Sequence, residues 1–366
     1  MAEVYAISER HDIANLAGEA LFKCVLVSED SEVAQKFKKA MLASVVRYQR
    51  LCLELKKVSE VLEENGISYM PLKGTVIRKY YPDPWMRTSG DIDILVKKED
   101  SVRGAELLET KLDYTKVHKE KRTEHDFGYY APNGTPVELH YDLMEKDANN
   151  VVVKHKFSFS CSADFAWDRA EKAENSEYKY KMSKDVFYIY HISHMAKHFI
   201  NGGCGIRPFI DLWILNNLGW GENDFVKESL KNDGIMLFWE KANELTKVWF
   251  EDKAHSEITQ KMESFILDGG VHGNSENKMK LLKIKKNSKW RFFLSIIFVP
   301  YKTLRYRYKG LEKYPFLLPF YWVRRWFENI FKGKLKNVAR DNSSYNAINE
   351  DEMGEMKKML SDLDII

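Results

Sequence analysis

The sequence predicts an α+β fold in which a small mixed sheet is framed by helical regions on both sides. Between about residues 66 and 145, short apolar runs alternate with helical patterns and end in a β-hairpin, as in a small α/β or α+β domain. On both sides of this segment, apolar residues recur at the three- and four-residue spacing of helices. Hydrophobic residues make up 44% of the 366, which is enough for a sizeable core and excludes global disorder.

The first half of the chain begins with two predicted helices and continues with shorter elements. The helices cover 12–26 and 31–65, and the second ends at Asn65-Gly66, a pair that is common at helix C-caps. The apolar runs that follow are short and are bounded by glycine or proline. They predict the order strand, helix, strand and helix, at 67–72, 73–81, 90–98 and within 99–117.

A β-hairpin is the clearest local signal in the chain. The stretch HDFGYYAPNGTPVELHYDL (125–143) holds two strands that flank a turn with Asn133-Gly134, a strong hairpin signal. The hairpin completes the strand-rich segment and gives the chain its predicted organisation. We expect an N-terminal helical region, a strand-rich core, a helical domain and a basic, aromatic, helical C-terminal region, at 1–65, 66–150, 151–270 and 271–366.

The second half of the chain is predicted to be mainly helical. Helical patterns run from about 184, are interrupted by a loop, NGGCG, at 201–205, and continue through 223–266. The polar, Lys-rich segment 270–290 is typical of a linker, and 350–366 has the pattern of a short amphipathic helix.

Cysteine usage and the apolar runs indicate a cytoplasmic protein. The four cysteines are scattered without a CxxC spacing, which fits a reducing compartment and excludes a thiolate zinc site. The N-terminal MAEVYAISERHD lacks the apolar core of a signal peptide. The longest apolar runs, near 292–300 and 316–323, are shorter than the roughly 18 residues that span a bilayer.

Two aspartates lie two positions apart in the buried-looking strand GDIDILV. In a strand, Asp91 and Asp93 project from one face while Ile92 and Ile94 enter the core. Two carboxylates this close repel each other and raise each other's pKa unless a cation lies between them. The pair therefore predicts half of a Mg²⁺ site, since hard divalent ions prefer oxygen ligands. The alternative is two solvated aspartates on an edge strand.

Three further features strengthen the metal and nucleotide interpretation. Gly74 in PLKGT allows a close backbone approach where a helix begins, which favours anions, although an ordinary strand-to-helix turn would look the same. Arg87 and Ser89 precede the aspartates, where phosphate oxygens would need neutralising, but Arg87 could also form a surface salt bridge. Glu138, His140 and Asp142 share one face of the hairpin's return strand, where Glu138 is either a third metal ligand or a cross-strand ion-pair partner.

The pattern LKG…R.SGDIDILV…VELH resembles the nucleotidyltransferases of the DNA polymerase beta superfamily. It is most similar to the family of uncharacterised bacterial nucleotidyltransferase-like proteins, and more distantly to nucleotidyltransferase toxins of abortive-infection systems. The resemblance implies a polymerase-beta-like core and covers about 66–145 in detail, and HISHMAKHF…GIRPFIDL resembles the family's continuation. The superfamily's paired aspartates map onto Asp91 and Asp93, and its third acid maps onto Glu138. The usual Gly-Gly or Gly-Ser is Gly74-Thr75 here.

The resemblance implies a specific chemistry and specific partners. Two Mg²⁺ ions, replaceable by Mn²⁺, held by Asp91, Asp93 and Glu138 would grip the triphosphate of a nucleotide such as ATP. A nucleoside monophosphate would then pass to an acceptor hydroxyl with release of pyrophosphate. The acceptor could be a small molecule, a saccharide-related compound, a protein or RNA. From their charge and placement, Lys73, Gly74, Thr75, Arg87 and Ser89 are expected to hold the nucleotide. Asp142 is the alternative to Glu138 as the third carboxylate.

Histidines at helical spacing mark a second surface. His191, His194 and His198 fall at i, i+3 and i+7 and form either a metal-binding face or a polar stripe toward the cleft. In the second case, His194 and His198, together with His140, would contact the acceptor or support the site. Arg207 and Asp211, one turn apart, predict an i,i+4 ion pair, or they face the active site.

The C-terminal region is strongly basic and aromatic. From Lys278 to Arg340 there are 18 Lys and Arg residues against 2 Glu, although the whole chain carries only +3. The segment 291–335 could contact a membrane surface, bind RNA, or form a helical subdomain with an aromatic core. An RNA surface would suit a toxin acting on tRNA, and a membrane surface would suit a non-catalytic, nucleotide-binding adaptor.

Overall fold

The computed structural model of the protein describes most of the chain. The described residues are 1–26, 28, 31–117, 125–144, 160–271, 273–286, 294, 297–308, 310–331 and 349–366. Within them, the predicted α+β fold is confirmed, with a small mixed sheet between helical regions. The strands are β1 (Tyr69–Pro71), β2 (Ile92–Val96), β3 (Thr115–Lys116), β4 (Asp126–Tyr130), β5 (Pro136–His140), β6 (Glu171–Lys172) and β7 (Tyr180–Lys181).

The main sheet has the order β1-β2-β5-β4-β3. β1 runs antiparallel to β2, β2 runs parallel to β5, and β5-β4-β3 are antiparallel neighbours. The predicted hairpin is therefore confirmed as β4 and β5, with Gly134 in the turn at a φ of +82°. The parallel pairing sets Asp93 directly opposite Glu138. β6 and β7 form a separate two-stranded ribbon.

Helices surround the sheet on both sides. Those of the N-terminal half are α1 (Ala2–Arg10), α2 (Ala14–Lys23), α3 (Glu32–Glu64), α4 (Lys73–Ile77) and α5 (Ser101–Lys111). Those of the middle are α6 (Ala163–Asp168), α7 (Lys184–Phe199), α8 (Arg207–Asn217), α9 (Asp224–Asn232), α10 (Met236–Phe250) and α11 (Glu257–Asp268). The C-terminal part holds α12 (Ser275–Lys286), α13 (Tyr301–Arg307), α14 (Gly310–Lys313), α15 (Leu318–Phe331) and α16 (Glu350–Asp362).

Two predictions along the chain were incomplete or wrong. The predicted helix over 12–26 is α2. The sequence analysis missed α1. In that helix, polar side chains hydrogen-bond to one another or to the backbone of the same helix. The predicted linker at 270–290 contains α12. Lys280 and Lys283 of α12 pair with Glu352 and Glu350 at the start of α16, so a polar helix is held by charge. The predicted C-terminal amphipathic helix is confirmed as α16.

β2 is buried on both faces because two cores meet at the sheet. Ile92, Ile94 and Val96 pack into one core with the long helix α3 and with α5. Leu95 packs into the other core, which is built mainly from α7 to α11 and also contains buried residues of α16. Since side chains alternate along a strand, Asp93 projects to the same side as Leu95, toward the helical bundle. The sheet therefore presents its acidic side chain to the helices.

The aromatic C-terminal segment forms a small cluster of its own in the described residues. Leu304, Tyr308 and Leu311 are its buried centre, and partly buried aromatic and aliphatic residues pack against them. Phe316 and Phe320 remain exposed, at 75% and 61%. Among the described residues, no helix combines the length and apolar character that crossing a membrane requires. Part of 291–335 lies outside the described residues, and its membrane and RNA interpretations stay predictions.

Candidate active site

A cleft of about 380 Å³ lies between the sheet and the helices α7 and α8. The acidic strand β2 and the strand-to-helix turn after β1 form one wall, and the histidine-bearing face of α7 forms the other. Of the predicted site residues, the structure brings seven to this cleft from the sheet side: Lys73, Gly74, Arg87, Ser89, Asp91, Asp93 and Glu138. His194 and His198 face them from α7.

Asp93 is the buried anchor of the acidic wall. The residue is 3% exposed, and its Oδ1 atom accepts hydrogen bonds from Lys73 Nζ and His140 Nε2, each at 2.8 Å. Burial raises the pKa of this carboxyl, but the charge of Lys73 and the bond from His140 outweigh it, so the pKa of Asp93 lies well below its usual range. Asp93 is therefore ionised at any physiological pH and is neutralised by groups of the protein itself.

Asp91 experiences the opposite electrostatic effect. The charge of Asp93, together with burial, raises the pKa of Asp91 to about 6, although Lys73 lowers it in part. Glu138 adds further repulsion from the neighbouring strand. This is the unrelieved carboxylate repulsion that the sequence predicted for the pair, and a divalent cation would relieve it.

Glu138 and His140 extend the acidic group along β5. His140 Nε2 lies 3.5 Å from Glu138 Oε2 as well as 2.8 Å from Asp93, and one ligand atom of each of these three residues lies within 4.8 Å of the others. Burial lowers the pKa of His140, but its hydrogen bonds to both carboxylates raise it above the usual value. His140 is 1% exposed, so it lies behind the carboxylates and supports them.

The turn after β1 brings the chain's backbone against the cleft. Lys73 has a left-handed φ of +45°, an unusual conformation for a lysine, and its ammonium group is directed back to Asp93. At Gly74, an added Cβ would lie 2.8 Å from Ser89 Oγ and 3.2 Å from Arg87 Nη1. The absence of a side chain at Gly74 is thus what lets Ser89 pack over the turn and hydrogen-bond to Asp91 O at 3.1 Å.

Gly74→Ala is expected to destabilise the protein by about 1–3 kcal/mol, because the methyl group overpacks the space that Ser89 fills. Ser89→Ala in the same chain removes the nearest atom and should recover part of the loss. The measurement is the free energy of unfolding in urea. Gly354→Ala is the control, since an added Cβ there meets no atom within 4 Å. Equal effects at the two glycines would contradict this account of the turn.

Arg87 forms a buried ion pair across the cleft. Its guanidinium donates to both oxygens of Asp211, with Nη2 to Oδ2 at 2.7 Å and Nε to Oδ1 at 2.9 Å, and Tyr81 donates to the same carboxylate. Asp211 pairs with Arg87 in this arrangement, and Arg207 pairs with Asp12 at 2.7 Å, so the i,i+4 pair predicted from the sequence is not what the structure shows. The Arg87 pair joins the sheet region to α8.

The histidines of α7 line the helical wall of the cleft. Burial lowers the pKa of His191, and it lowers the pKa of His194 well below the usual value, with the charge of Lys73 adding to the second effect. His194 and His198 approach each other with their Nε2 atoms 3.2 Å apart, and His191 contacts Pro208 O at 3.0 Å. The predicted stripe toward the cleft is thus what the structure shows for these three residues.

Two candidates lie away from the cleft. Thr75 lines a separate pocket of about 200 Å³ that also contains Tyr48 and Leu51. Asp142 accepts backbone N–H bonds from Leu143 at 2.9 Å and from Ala163 at 3.1 Å, at the start of α6. The structure therefore places Glu138 in the cleft with Asp91 and Asp93, and gives Asp142 a role in holding the chain.

Sequence reasoning missed other cleft residues. Tyr190, Lys197, His125 and Asp126 all line the cavity. The phenol of Tyr190 is buried, and its pKa is raised by that burial while the charge of Lys73 opposes the shift. Tyr190 and Lys197 share a helix face with the noted histidines, so helical spacing could have found them. In the sequence, His125 and Asp126 were recognised only as the first residues of the predicted hairpin.

The sheet, the paired aspartates and the facing helices together match a known family. A family model described as an uncharacterised nucleotidyltransferase matches residues 1–250. The chain belongs to this family. The resemblance seen in the sequence is thereby confirmed, and membership indicates nucleotidyltransferase activity in general terms. A search of curated proteins and a search of solved structures found no match.

Proposed function

We propose that the protein transfers a nucleoside monophosphate from a nucleoside triphosphate to an acceptor hydroxyl, in a reaction that depends on Mg²⁺. The observation that carries this proposal is the acidic wall of the cleft. There Asp91, Asp93 and Glu138 project together from two parallel neighbouring strands. Three carboxylates on one wall can supply the oxygen ligands that two-ion phosphoryl chemistry uses.

The donor set fits magnesium ions. Asp91, Asp93 and Glu138 supply only oxygen atoms, which Mg²⁺ prefers, and Mn²⁺ can use the same ligands. The raised pKa of Asp91 supports this assignment, because the charge that raises it is the charge a dication would offset. When bound, such ions supply charge neutralisation of the triphosphate and activation of the acceptor hydroxyl.

The protein's own cations would bind and orient the triphosphate. Lys73 is 25% exposed at its side chain and lies at the acidic wall, while Lys197 and Arg207 line the cleft from the helical side. Ser89 is placed beside Asp91 and can donate a hydrogen bond to a phosphate oxygen. The guanidinium of Arg87 is paired with Asp211. Its proposed contribution is therefore to hold the wall of the cleft in place and to add positive charge near the triphosphate.

The histidine-bearing face of α7 would form the acceptor side. Burial keeps Tyr190 and His194 uncharged while both offer hydrogen-bonding groups, His198 adds a third such group, and Phe187 and Met195 add apolar surface. A cavity of about 380 Å³ lies within the range of about 300–1,000 Å³ that is usual for small-molecule sites. These features support an acceptor group that is presented as a hydroxyl.

Calorimetric titration with ATP, CTP, GTP and UTP tests the proposal, each with Mg²⁺ and each with a chelator. We expect one nucleotide to bind with Mg²⁺ and to lose at least about tenfold in affinity without it, because the carboxylates repel a bare triphosphate. Glu138→Gln should weaken the Mg²⁺-dependent binding, and Glu99→Gln, at an exposed acid on the turn after β2, is the matched control.

Binding that is equally strong without Mg²⁺, or unchanged in Glu138→Gln, would overturn the metal-dependent proposal. Product analysis completes the test. Nucleotide labelled on the α-phosphate should leave its label on an acceptor and release unlabelled pyrophosphate. Label recovered in free nucleoside diphosphate or monophosphate would point instead to simple hydrolysis.

A further inference from the structure

A second cluster of metal-ligating side chains lies beside the three carboxylates. One ring nitrogen of His125, one of His140 and a carboxylate oxygen of Asp126 all lie within 4.8 Å of one another. Asp126 and His140 are opposite residues of the antiparallel pair β4–β5, so their side chains leave the sheet on the same face. His125 directly precedes β4, and its ring centroid is 5.5 Å from that of His140.

The three groups are buried and closely spaced. His125, Asp126 and His140 are 9%, 8% and 1% exposed. His125 Nε2 and Asp126 Oδ2 are 3.7 Å apart. Two ligand atoms of a tetrahedral zinc ion, with bonds of about 2.1 Å, lie roughly 3.4 Å apart. Small side-chain rotations would therefore bring the groups to ligand distance.

His140 is oriented for a metal by its other contact. Its Nε2 atom is committed to Asp93 at 2.8 Å. Its Nδ1 atom is buried and has no hydrogen-bond partner among the described residues. A histidine that donates one ring N–H to a carboxylate can give the lone pair of its other nitrogen to a metal that displaces the proton there, and metal-binding histidines are usually held in this way.

We propose that His125, Asp126 and His140 bind a borderline transition-metal dication such as Zn²⁺, at a site separate from the magnesium carboxylates. Two imidazole nitrogens and one carboxylate oxygen suit zinc, whereas magnesium selects oxygen ligands. Asp93 is the positioning residue of this site, because it fixes the ring of His140. Three protein ligands leave a fourth position open, and since His125 and Asp126 line the cleft, that position faces the cavity.

The experiment titrates the full-length, metal-stripped protein with Zn²⁺ alone against a chromophoric chelator, and with Co²⁺ alone by visible absorption. We expect one tightly held Zn²⁺ per chain and the intense Co²⁺ bands of a four-coordinate site. His125→Ala and Asp126→Asn should each weaken Zn²⁺ binding by about tenfold or more, and Asp93→Asn by about 10–100-fold through the loss of its hold on His140. Glu138→Gln is the matched control and should retain Zn²⁺.

Absence of tight Zn²⁺ binding would overturn the inference. Loss in Glu138→Gln with retention in both His125→Ala and Asp126→Asn would also overturn it, because the ion would then lie among Asp93, Glu138 and His140. Two ligand variants at different side chains are measured, so that the test does not depend on the folding of one variant. The zinc measurements use no nucleotide, so their failure is distinguishable from failure of Mg²⁺-dependent nucleotide binding.

Discussion

Asp91→Asn is expected to raise the free energy of unfolding by about 1–3 kcal/mol at pH 7, while it abolishes Mg²⁺-dependent nucleotide binding. The folded state raises the pKa of Asp91 to about 6 from an ordinary value of 3.8, so folding disfavours the charged form. The native state therefore binds more protons than the unfolded state between these values, and the contribution of Asp91 to stability falls as pH rises through them. Asparagine has no charge to repel Asp93.

Urea unfolding from about pH 4 to pH 7 checks this prediction, with the stability difference between variant and wild type growing as Asp91 ionises. Asp93→Asn is the isosteric control and should act in the opposite direction. It leaves Lys73 and His140 without their shared anion, which costs about 3–5 kcal/mol for a buried pair. A variant Asp91→Asn that is less stable than wild type at pH 7 would contradict the electrostatic account of the site.

Asp211→Ala is expected to lower the free energy of unfolding by about 3–5 kcal/mol, because it leaves the guanidinium of Arg87 buried without its partner. The side chains of this pair are 10% and 1% exposed, and Tyr81 loses its acceptor in the same variant. The measurement is urea unfolding of Asp211→Ala and of Arg87→Met/Asp211→Leu. Because the double variant replaces both charges with apolar groups, it should recover a substantial part of the loss.

Lys36→Ala provides the comparison for a solvent-exposed ion pair. Lys36 lies 2.9 Å from Glu32, but the two side chains are 51% and 85% exposed, so the loss should be much smaller than that of Asp211→Ala. If Asp211→Ala costs no more than Lys36→Ala, the buried pair does not join the sheet to α8. If the double variant is as unstable as Asp211→Ala, the loss arises from packing and not from an uncompensated charge.

Local rules were sufficient where the deciding contacts are close along the chain. Asn133-Gly134 predicted the hairpin, and the two-residue spacing of Asp91 and Asp93 predicted their common face. Helical spacing predicted the histidine face of α7. Each of these predictions depends on the period of one element, which a sequence displays directly.

Contacts between distant segments could not be read in the same way. The parallel pairing of β2 with β5 sets Glu138 against Asp93. The family resemblance predicted Glu138 as the third acid, but nothing in the sequence analysis predicted this strand pairing. Asp211 has a plausible partner four residues away in Arg207, yet it binds Arg87, which is 124 positions distant. A buried, bidentate ion pair between distant segments is more favourable than an ion pair between residues that are close in the sequence. The tertiary structure therefore overrides the local charge pattern here.

The composition of the helical core limits how this protein can be divided or recombined. The family match ends at residue 250, but buried residues beyond it, among them Phe265, Leu281 and Leu360, belong to the same apolar core as α7. A fragment that stops at the family boundary would expose the surfaces that these residues cover. Grafting the matched region onto another protein would therefore require the C-terminal helices to be included. The segment that can be transferred is longer than the segment that the family model matches.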